Sequence, residues 1–208
     1  NGTAFSRVID VSTAPYSLPG GANVDGFDRV DATHIYLSFS GSVSVPGIAG
    51  KVQDEDIVYY NAGVWSLYFD GSARGLESGN FDLDAISIVG AGGPNNVYFS
   101  TDGNNTPPGA GGGGDDADIY RWNGGNSYTR IFDASALGWS STNVDGFVRV
   151  DATRFYLSYS SDTNVPGIGT VQDEDVVYYN GAVWSVYFDG TAIGLTNNNH
   201  DLDAFDLP

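Results

Sequence analysis

The residues of this chain most suited to chemistry are its aspartates, and they recur in register. Asp54-Glu55-Asp56 returns as Asp173-Glu174-Asp175 and, in altered form, as Asp116 and Asp118. Each set precedes a β-like run, where residues at i and i+2 project two carboxylates to one side. A second series opens a different run: Asp82 with Asp84, Asp201 with Asp203, Asn23 with Asp25, and Asn143 with Asp145. Calcium takes about 6–8 oxygen ligands, which two such pairs and nearby carbonyls could supply. Like charges held this close without a cation are costly. The expected metal set is therefore Asp25, Asp54, Asp56, Asp82, Asp84, Asp116, Asp118, Asp145, Asp173, Asp175, Asp201 and Asp203, with Ca2+ as the ion. A competing reading makes the same aspartates turn caps that accept backbone N–H bonds. No stretch carries the glycine and glutamate pattern of an EF-hand loop.

Other chemistry is thinly represented. The two histidines do not recur: His34 aligns with Arg154, and His200 with Phe81. No nucleophile elbow, zinc-protease helix or phosphate-binding Gly-Lys loop occurs. Carboxylates repeated in every copy serve the repeat, whereas a glycosidase needs one asymmetric pair. The chain is therefore expected not to be an enzyme. Trp65 and Trp184 are equivalent and read as core, while Trp122 and Trp139 belong to one copy and could form an exposed platform for a glycan or partner. Asn1 and Asn104 each begin a glycosylation sequon.

These residues sit on a repeated scaffold. The segment NVDGFDRVDATHIYLSFS from Asn23 returns as NVDGFVRVDATRFYLSYS from Asn143, and a diverged copy lies between them. The anchors Asp25, Asp84, Asp145 and Asp203 are spaced by 59, 61 and 58 residues. Short β-like runs at such a period predict a propeller or similar array of four-stranded antiparallel units. In the first copy the strands are expected at 24–30, 35–39, 57–60 and 64–69, with turns at Asp31-Ala32-Thr33, Val45-Pro46-Gly47 and Asn61-Ala62-Gly63. A β-trefoil is the runner-up. Ile35, Leu37 and Phe39 alternate with Tyr36 and Ser38, and Trp65, Leu67 and Phe69 with Tyr68, so these strands are expected to be buried on both faces, as in stacked blades. The division is one repeat domain, 1–208: a partial repeat at 1–22, full repeats at 23–81, 82–142 and 143–200, and a lone first strand at 201–208. The middle copy carries a glycine-rich loop at 104–114.

The charge is −18, from 26 acidic and 8 basic residues. It disfavours nucleic acid and anionic membranes, and no apolar run approaches the ~20 residues that span a bilayer. Cys and Met are absent. This points to an exported chain, processed from a signal-bearing precursor and rigidified by something other than disulfides. An extracellular or cell-surface location follows as an expectation.

The Asp-x-Asp-Ala strand start, the Asp-Glu-Asp-Ile/Val-Val-Tyr run and the Trp-Ser-x-Tyr-Phe-Asp-Gly ending resemble β-propeller repeats of bacterial secreted and surface-anchored proteins. The resemblance covers nearly the whole chain and implies a propeller-like fold with a structural or adhesive role. The calcium loop Asp-x-Asp-x-Asp-Gly of some propellers is missing. At the ends, Phe5–Asp10 matches a fourth strand and 201–207 a first strand. Both 3–10 and 201–207 are expected to be ordered β-strands. They either close a ring within one chain or pair between subunits, and the second arrangement, favoured here, gives a head-to-tail filament by strand complementation. A carbohydrate-binding propeller is the alternative function.

Overall fold

The computed structural model describes residues 4–77, 81–139, 142–196 and 200–207. Three four-stranded antiparallel sheets hold nearly all its regular structure. The first is β1 (Val24–Asp31), β2 (His34–Phe39), β3 (Ile57–Asn61) and β4 (Val64–Phe69), paired in that order. The second is β5 (Asp82–Ile88), β6 (Val97–Asp102), β7 (Ile119–Gly124) and β8 (Ser127–Phe132), again in sequence order. The third is β9 (Val144–Arg149), β10 (Phe155–Tyr159), β13 (Val176–Tyr179) and β14 (Trp184–Phe188), with a separate two-stranded hairpin of β11 (Thr163–Val165) and β12 (Gly169–Val171) between β10 and β13 in sequence. Helix among the described residues is limited to three single 3-10 turns, each following the fourth strand of a sheet. The first strands β1, β5 and β9 lie against one another around a common axis. The fold is all-β and propeller-like, and the sheets are up-and-down blades rather than the units of a trefoil.

Blades form because their strands are apolar on both faces. Ile35, Tyr36, Leu37, Ser38 and Phe39 are all buried. One face of blade 1 (Ile35, Leu37, Val58, Tyr60, Trp65) packs on Tyr16 and Leu18 of the N-terminal segment, where Trp65 Nε1 donates to the Tyr16 carbonyl at 2.9 Å. The other face (Tyr36, Ile57, Phe69) packs on Leu83, Ile86, Phe99 and Tyr120 of blade 2. Blade 2 then offers Ala85, Tyr98 and Ile119 to Phe147, Leu157 and Trp184 of blade 3.

The alternation in β4 departs from expectation. Pairing runs Tyr60 to Trp65 and Val58 to Leu67 but Ile57 to Phe69, so Tyr68 is bulged. The bulge sends Phe69 to the opposite face from Trp65, and Leu67, on the outermost strand, is 40% exposed. The hairpin before it is tight: Ala62 and Gly63 both have positive φ, 45° and 108°, the geometry of a type I′ turn.

The expectation of terminal strands is corrected. Neither 4–10 nor 201–207 is β-strand. The reason is partnership: neither segment pairs with any strand among the described residues, so neither has a ladder to join. Both nonetheless occupy their blade positions. The Arg7–Asp10 ion pair at 2.6 Å repeats Arg130–Asp133 at the end of β8. Leu202 N donates to the Asp173 carbonyl just as Leu83 N does to Asp54 and Val144 N to Asp116. At its far end Asp206 Oδ2 accepts Arg29 N at 3.3 Å, as Asp28 Oδ2 accepts Ile88 N at 2.7 Å. The segment thus links blade 3 to blade 1 within one chain. The accessible surface is 9587 Å², against roughly 9,300 Å² for a globular chain of this mass, so the incomplete fourth sector does not leave the array splayed.

Candidate functional site

The two aspartate series meet at the joints between blades. At the first joint the Asp54 carbonyl accepts Leu83 N at 3.0 Å, and Asp54 Oδ1 and Asp82 Oδ1 are buried without hydrogen-bond partners. At the second the Asp116 carbonyl accepts Val144 N at 3.0 Å, and Asp116 Oδ1 and Asn143 Oδ1 are in the same state. At the third the Asp173 carbonyl accepts Leu202 N at 3.3 Å, and Asp201 Oδ1 is buried and unpartnered. The recurrence follows from topology. Asp54, Asp116 and Asp173 end the loops into β3, β7 and β13, while Asp82 and Asn143 open the next innermost strands and Asp201 the C-terminal segment, so strand pairing and blade stacking bring them together.

A further convergence lies at the axis. Asp25, Asp84, Asp145 and Asp203 occupy equivalent positions on the three innermost strands and the C-terminal segment. Asp145, Asp201 and Asp203 each offer a carboxylate oxygen within 4.8 Å of the others. Burial, followed by repulsion from neighbouring carboxylates, pushes Asp145 up to about 9, Asp25 to about 8 and Asp84 to about 7. The same two causes raise Asp82 to about 7 and Asp201 to about 6. Among the described residues, no arginine or lysine forms an ion pair with any of these carboxylates.

Asp56, Asp118 and Asp175 have another task. Asp56 accepts Gln53 N and Gly71 N, both at 2.9 Å. Asp175 accepts Gln172 N at 3.1 Å and Gly190 N at 2.9 Å. Asp118 accepts Asp115 N, Ala134 N and the Tyr120 hydroxyl, and pairs with Arg130 at 2.8 Å. These carboxylates latch the turn before the third strand to the turn after the fourth. Their oxygens are filled by backbone amides, so the metal role expected of them is replaced by capping.

Glu55 was not anticipated as a functional group. It is fully buried, both carboxylate oxygens lack partners, and burial pushes it up to about 8. Its blade 3 counterpart Glu174 accepts the Thr191 hydroxyl at 2.6 Å, and blade 2 has Ala117 there. The signal in sequence was the unbroken Asp-Glu-Asp triplet, whose middle residue must take the opposite side from its neighbours.

Of the two candidate platform tryptophans, Trp139 belongs to the core. Trp139 is 5% exposed, packed against Phe132, Tyr159 and Trp184 in the core between blades 2 and 3. Trp122 is half-buried against Phe69, with the Arg74 guanidinium 4.8 Å from its ring and its Nε1 bound to the Gly125 carbonyl. Asn104 is exposed, and Asn1 lies outside the described residues. The glycine-rich loop is pinned by Gly114 N to Thr106 Oγ1 and by Arg130 to the Gly113 carbonyl, each at 2.7 Å.

The open fourth sector forms a concavity. A cavity of about 650 Å³ lies between Ser6, Val8, Ile9 and Val11 on one side, 201–204 on another and Val24, Phe27 and Leu37 of blade 1. On the far side of the sector, blade 3 displays Tyr156, Tyr178 and Tyr187, with rings in contact at 4.6 and 4.7 Å. The equivalent Tyr36, Tyr59 and Tyr68 of blade 1 are covered by blade 2, where the Tyr68 hydroxyl accepts Gly93 N at 2.9 Å. Tyr187, by contrast, is 54% exposed.

No protein-family model matches the chain, and no curated protein matches it in sequence. Among solved structures it is similar to YCF48 bound to D1 peptide, at 15% identity and a TM-score of 0.37 over 81% of this chain and 41% of that one. It is likewise similar to YCF48 from Cyanidioschyzon merolae, at 14% identity and a TM-score of 0.39 over the same shares. A third is the extracellular domain of the hybrid two-component system BT4673 from B. thetaiotaomicron, at 9% identity and a TM-score of 0.41 over 90% of this chain and 29% of that one. All are of β-propeller type, and the chain spans less than half the length of each. No helix among the described residues is long and apolar enough to cross a membrane.

Proposed function

We propose that this chain is a non-enzymatic, extracellular structural or adhesive module of propeller type, stabilised by calcium at the joints between its repeats. The observation that carries the reading is the recurrence, at successive joints, of buried carboxylate and amide oxygens with no hydrogen-bond donor. Buried acceptors without donors are expensive, and a hard divalent cation with oxygen ligands is the chemistry that satisfies several at once. Asp54 with Asp82, Asp116 with Asn143, and Asp173 with Asp201 are the ligands this reading names. Calorimetric titration of calcium into chelator-stripped protein tests it. Saturable binding, weakened by Asp54→Asn together with Asp116→Asn, is the expected result. An absence of binding heat and of competition with a calcium indicator dye would remove the calcium from the reading.

Self-association is a second reading, favoured by one observation. The tyrosine face of blade 3 is open while its blade 1 counterpart is covered by a neighbouring blade. A second copy presenting a blade-like surface would cover it, and repetition of that contact gives a head-to-tail assembly. Sedimentation at increasing protein concentration should show association that Tyr187→Ser weakens. A monomer at all concentrations would rule the assembly out. For the carbohydrate-binding alternative, Trp139 is buried in the core and Trp122 is half-buried.

A further inference from the structure

We infer that the open fourth sector receives a β-hairpin of this same repeat type from a partner polypeptide, which supplies the second and third strands of a fourth blade between 201–207 and 4–10. The inference shares the exposed tyrosines of blade 3 with the self-association reading above but names a different occupant. The repeat itself carries the argument, because each side of the sector has a counterpart in a complete blade whose cover is seen. Val24 and Phe27 are half-buried, while their equivalents Val144 and Phe147 are fully buried against blade 2. Phe5 is 62% exposed, and its equivalent Tyr128, paired with the third strand of blade 2, is 1% exposed. Tyr187 is open, whereas a turn of blade 2 covers its equivalent Tyr68. Three sides of the sector are thus under-buried at the positions where neighbouring strands cover the other copies.

The hydrogen bonds identify the occupant more closely. At each joint an amide near the start of an innermost strand or segment donates to the loop before the preceding third strand: Leu83 N to the Asp54 carbonyl, Val144 N to Asp116 and Leu202 N to Asp173. Val24 N is next in this series, and no loop carbonyl among the described residues accepts it. The second strands of blades 2 and 3 add a serine. Ser100 Oγ donates to the Val144 carbonyl at 2.9 Å and Ser158 Oγ to the Leu202 carbonyl at 3.2 Å, which makes the Val24 carbonyl the matching acceptor in the fourth sector. An occupant that meets both groups of Val24 carries a Tyr-Leu-Ser run in its first strand and an acidic loop before its second, as residues 34–61 do. A second folded copy has its own hairpins of this kind already paired between first and fourth strands, so the donor is a chain whose hairpin is unpaired. Main-chain bonds to 201–207 and to 4–10 would hold it, with its apolar faces filling the cavity beside Val24, Phe27 and Leu37.

A synthetic peptide spanning residues 34–61, added to the full chain in calcium, is the probe. It should bind saturably and slow amide exchange at Val24, whose N–H would donate to the peptide's Asp54 carbonyl, and across 202–207, which would gain a ladder. Val8 is exposed and lines the cavity. Val8→Asp should weaken binding about tenfold or more, because its carboxylate would be buried against an apolar strand. Val183→Asp, at an exposed position beside Leu137, should leave binding unchanged. Binding indifferent to Val8→Asp would place the peptide elsewhere and overturn the inference. An isolated hairpin is marginally stable, so the same strands are also tested in one chain. Asp203 aligns with Asp25 and Pro208 with Val30, so residues 31–61 appended after Pro208 continue the repeat. Protection of Val24 N in that fused chain would support the occupant even where the free peptide binds weakly, since fusion raises the effective concentration. Unprotected Val24 N in the fused chain would overturn it. Association of the unmodified chain with itself, undisturbed by the peptide, would give the sector to a second copy, which overturns this occupant and spares the self-association reading.

Discussion

Asp54 and Asp56 stand two residues apart and have different surroundings. Asp56 is satisfied by two amides, whereas Asp54 Oδ1 has no donor. Replacing Asp56 or Asp175 with Ala strands a pair of amides, each worth about 1–3 kcal/mol if left unsatisfied. The denaturant midpoint of either variant should fall by a corresponding amount with calcium present or absent. Asp54→Asn should cost stability only in calcium. The division between capping and unpartnered carboxylates was hidden in sequence because both members of the pair recur equally. The clue available was the Gly or Ala that returns 15 or 16 residues later at Gly71, Ala134 and Gly190, where the latching amides reside.

The axial and joint carboxyls also set a pH dependence. Asp25, Asp82, Asp84, Asp145 and Asp201 are raised in the fold to between about 6 and 9, while an unfolded Asp titrates near 4. Between those limits the folded chain binds more protons than the unfolded one, so stability falls as pH rises. Chelator-treated protein should therefore melt at progressively lower temperature from about pH 5 to pH 9. Calcium should reduce or reverse that slope, since it binds the ionised form. Asp31 and Asp151 are lowered to about 2 by hydrogen bonds to Thr33 and Thr153. Their stabilisation is present above about pH 4 and is lost only as pH falls through 2, so it does not mask the effect.

At the scale of elements, the strands were legible because both faces of each run are apolar and the turns carry strong signals. β1 through β4 fall within a residue of their expected limits. The sequence pattern failed where the backbone left strict alternation or lacked a partner. The bulge at Tyr68 separated Phe69 from Trp65, and the terminal segments kept strand-like sequences without neighbours to pair with. Trp139 was misread because it follows the 3-10 turn, outside any strand, where period-2 reasoning cannot assign a face. Trp139→Ala should cost about 3–5 kcal/mol, the range for removing a buried aromatic, measured by chemical denaturation. Gly146 makes a different element prediction. A Cβ there would collide with Ser158 Oγ and the Phe205 ring, so Gly146→Ala should displace the C-terminal segment. Proteolysis within 200–207 should accelerate while the three blades stay protected, and unchanged cleavage would show that Phe205 is not seated there.

On the scale of the molecule, three complete blades and two end segments enclose an axis crowded with negative charge. The period of about 60 residues made the propeller-like, all-β architecture readable, but not how the ends meet, because that depends on contacts between residues more than 170 positions apart, such as Arg29 and Asp206. Nor could sequence separate joint from axis: Asp201 and Asp203 form one pair in the chain, yet Asp201 belongs to both clusters. Calcium stabilisation of the whole array is the central claim. Thermal unfolding of the wild-type chain near pH 7.5, in chelator and then in millimolar calcium, tests it most directly. At about 100-fold excess over the dissociation constant, each ion bound only by the folded state contributes about 2.7 kcal/mol, so the melting temperature should rise by many degrees. Superimposable melting curves would contradict the account.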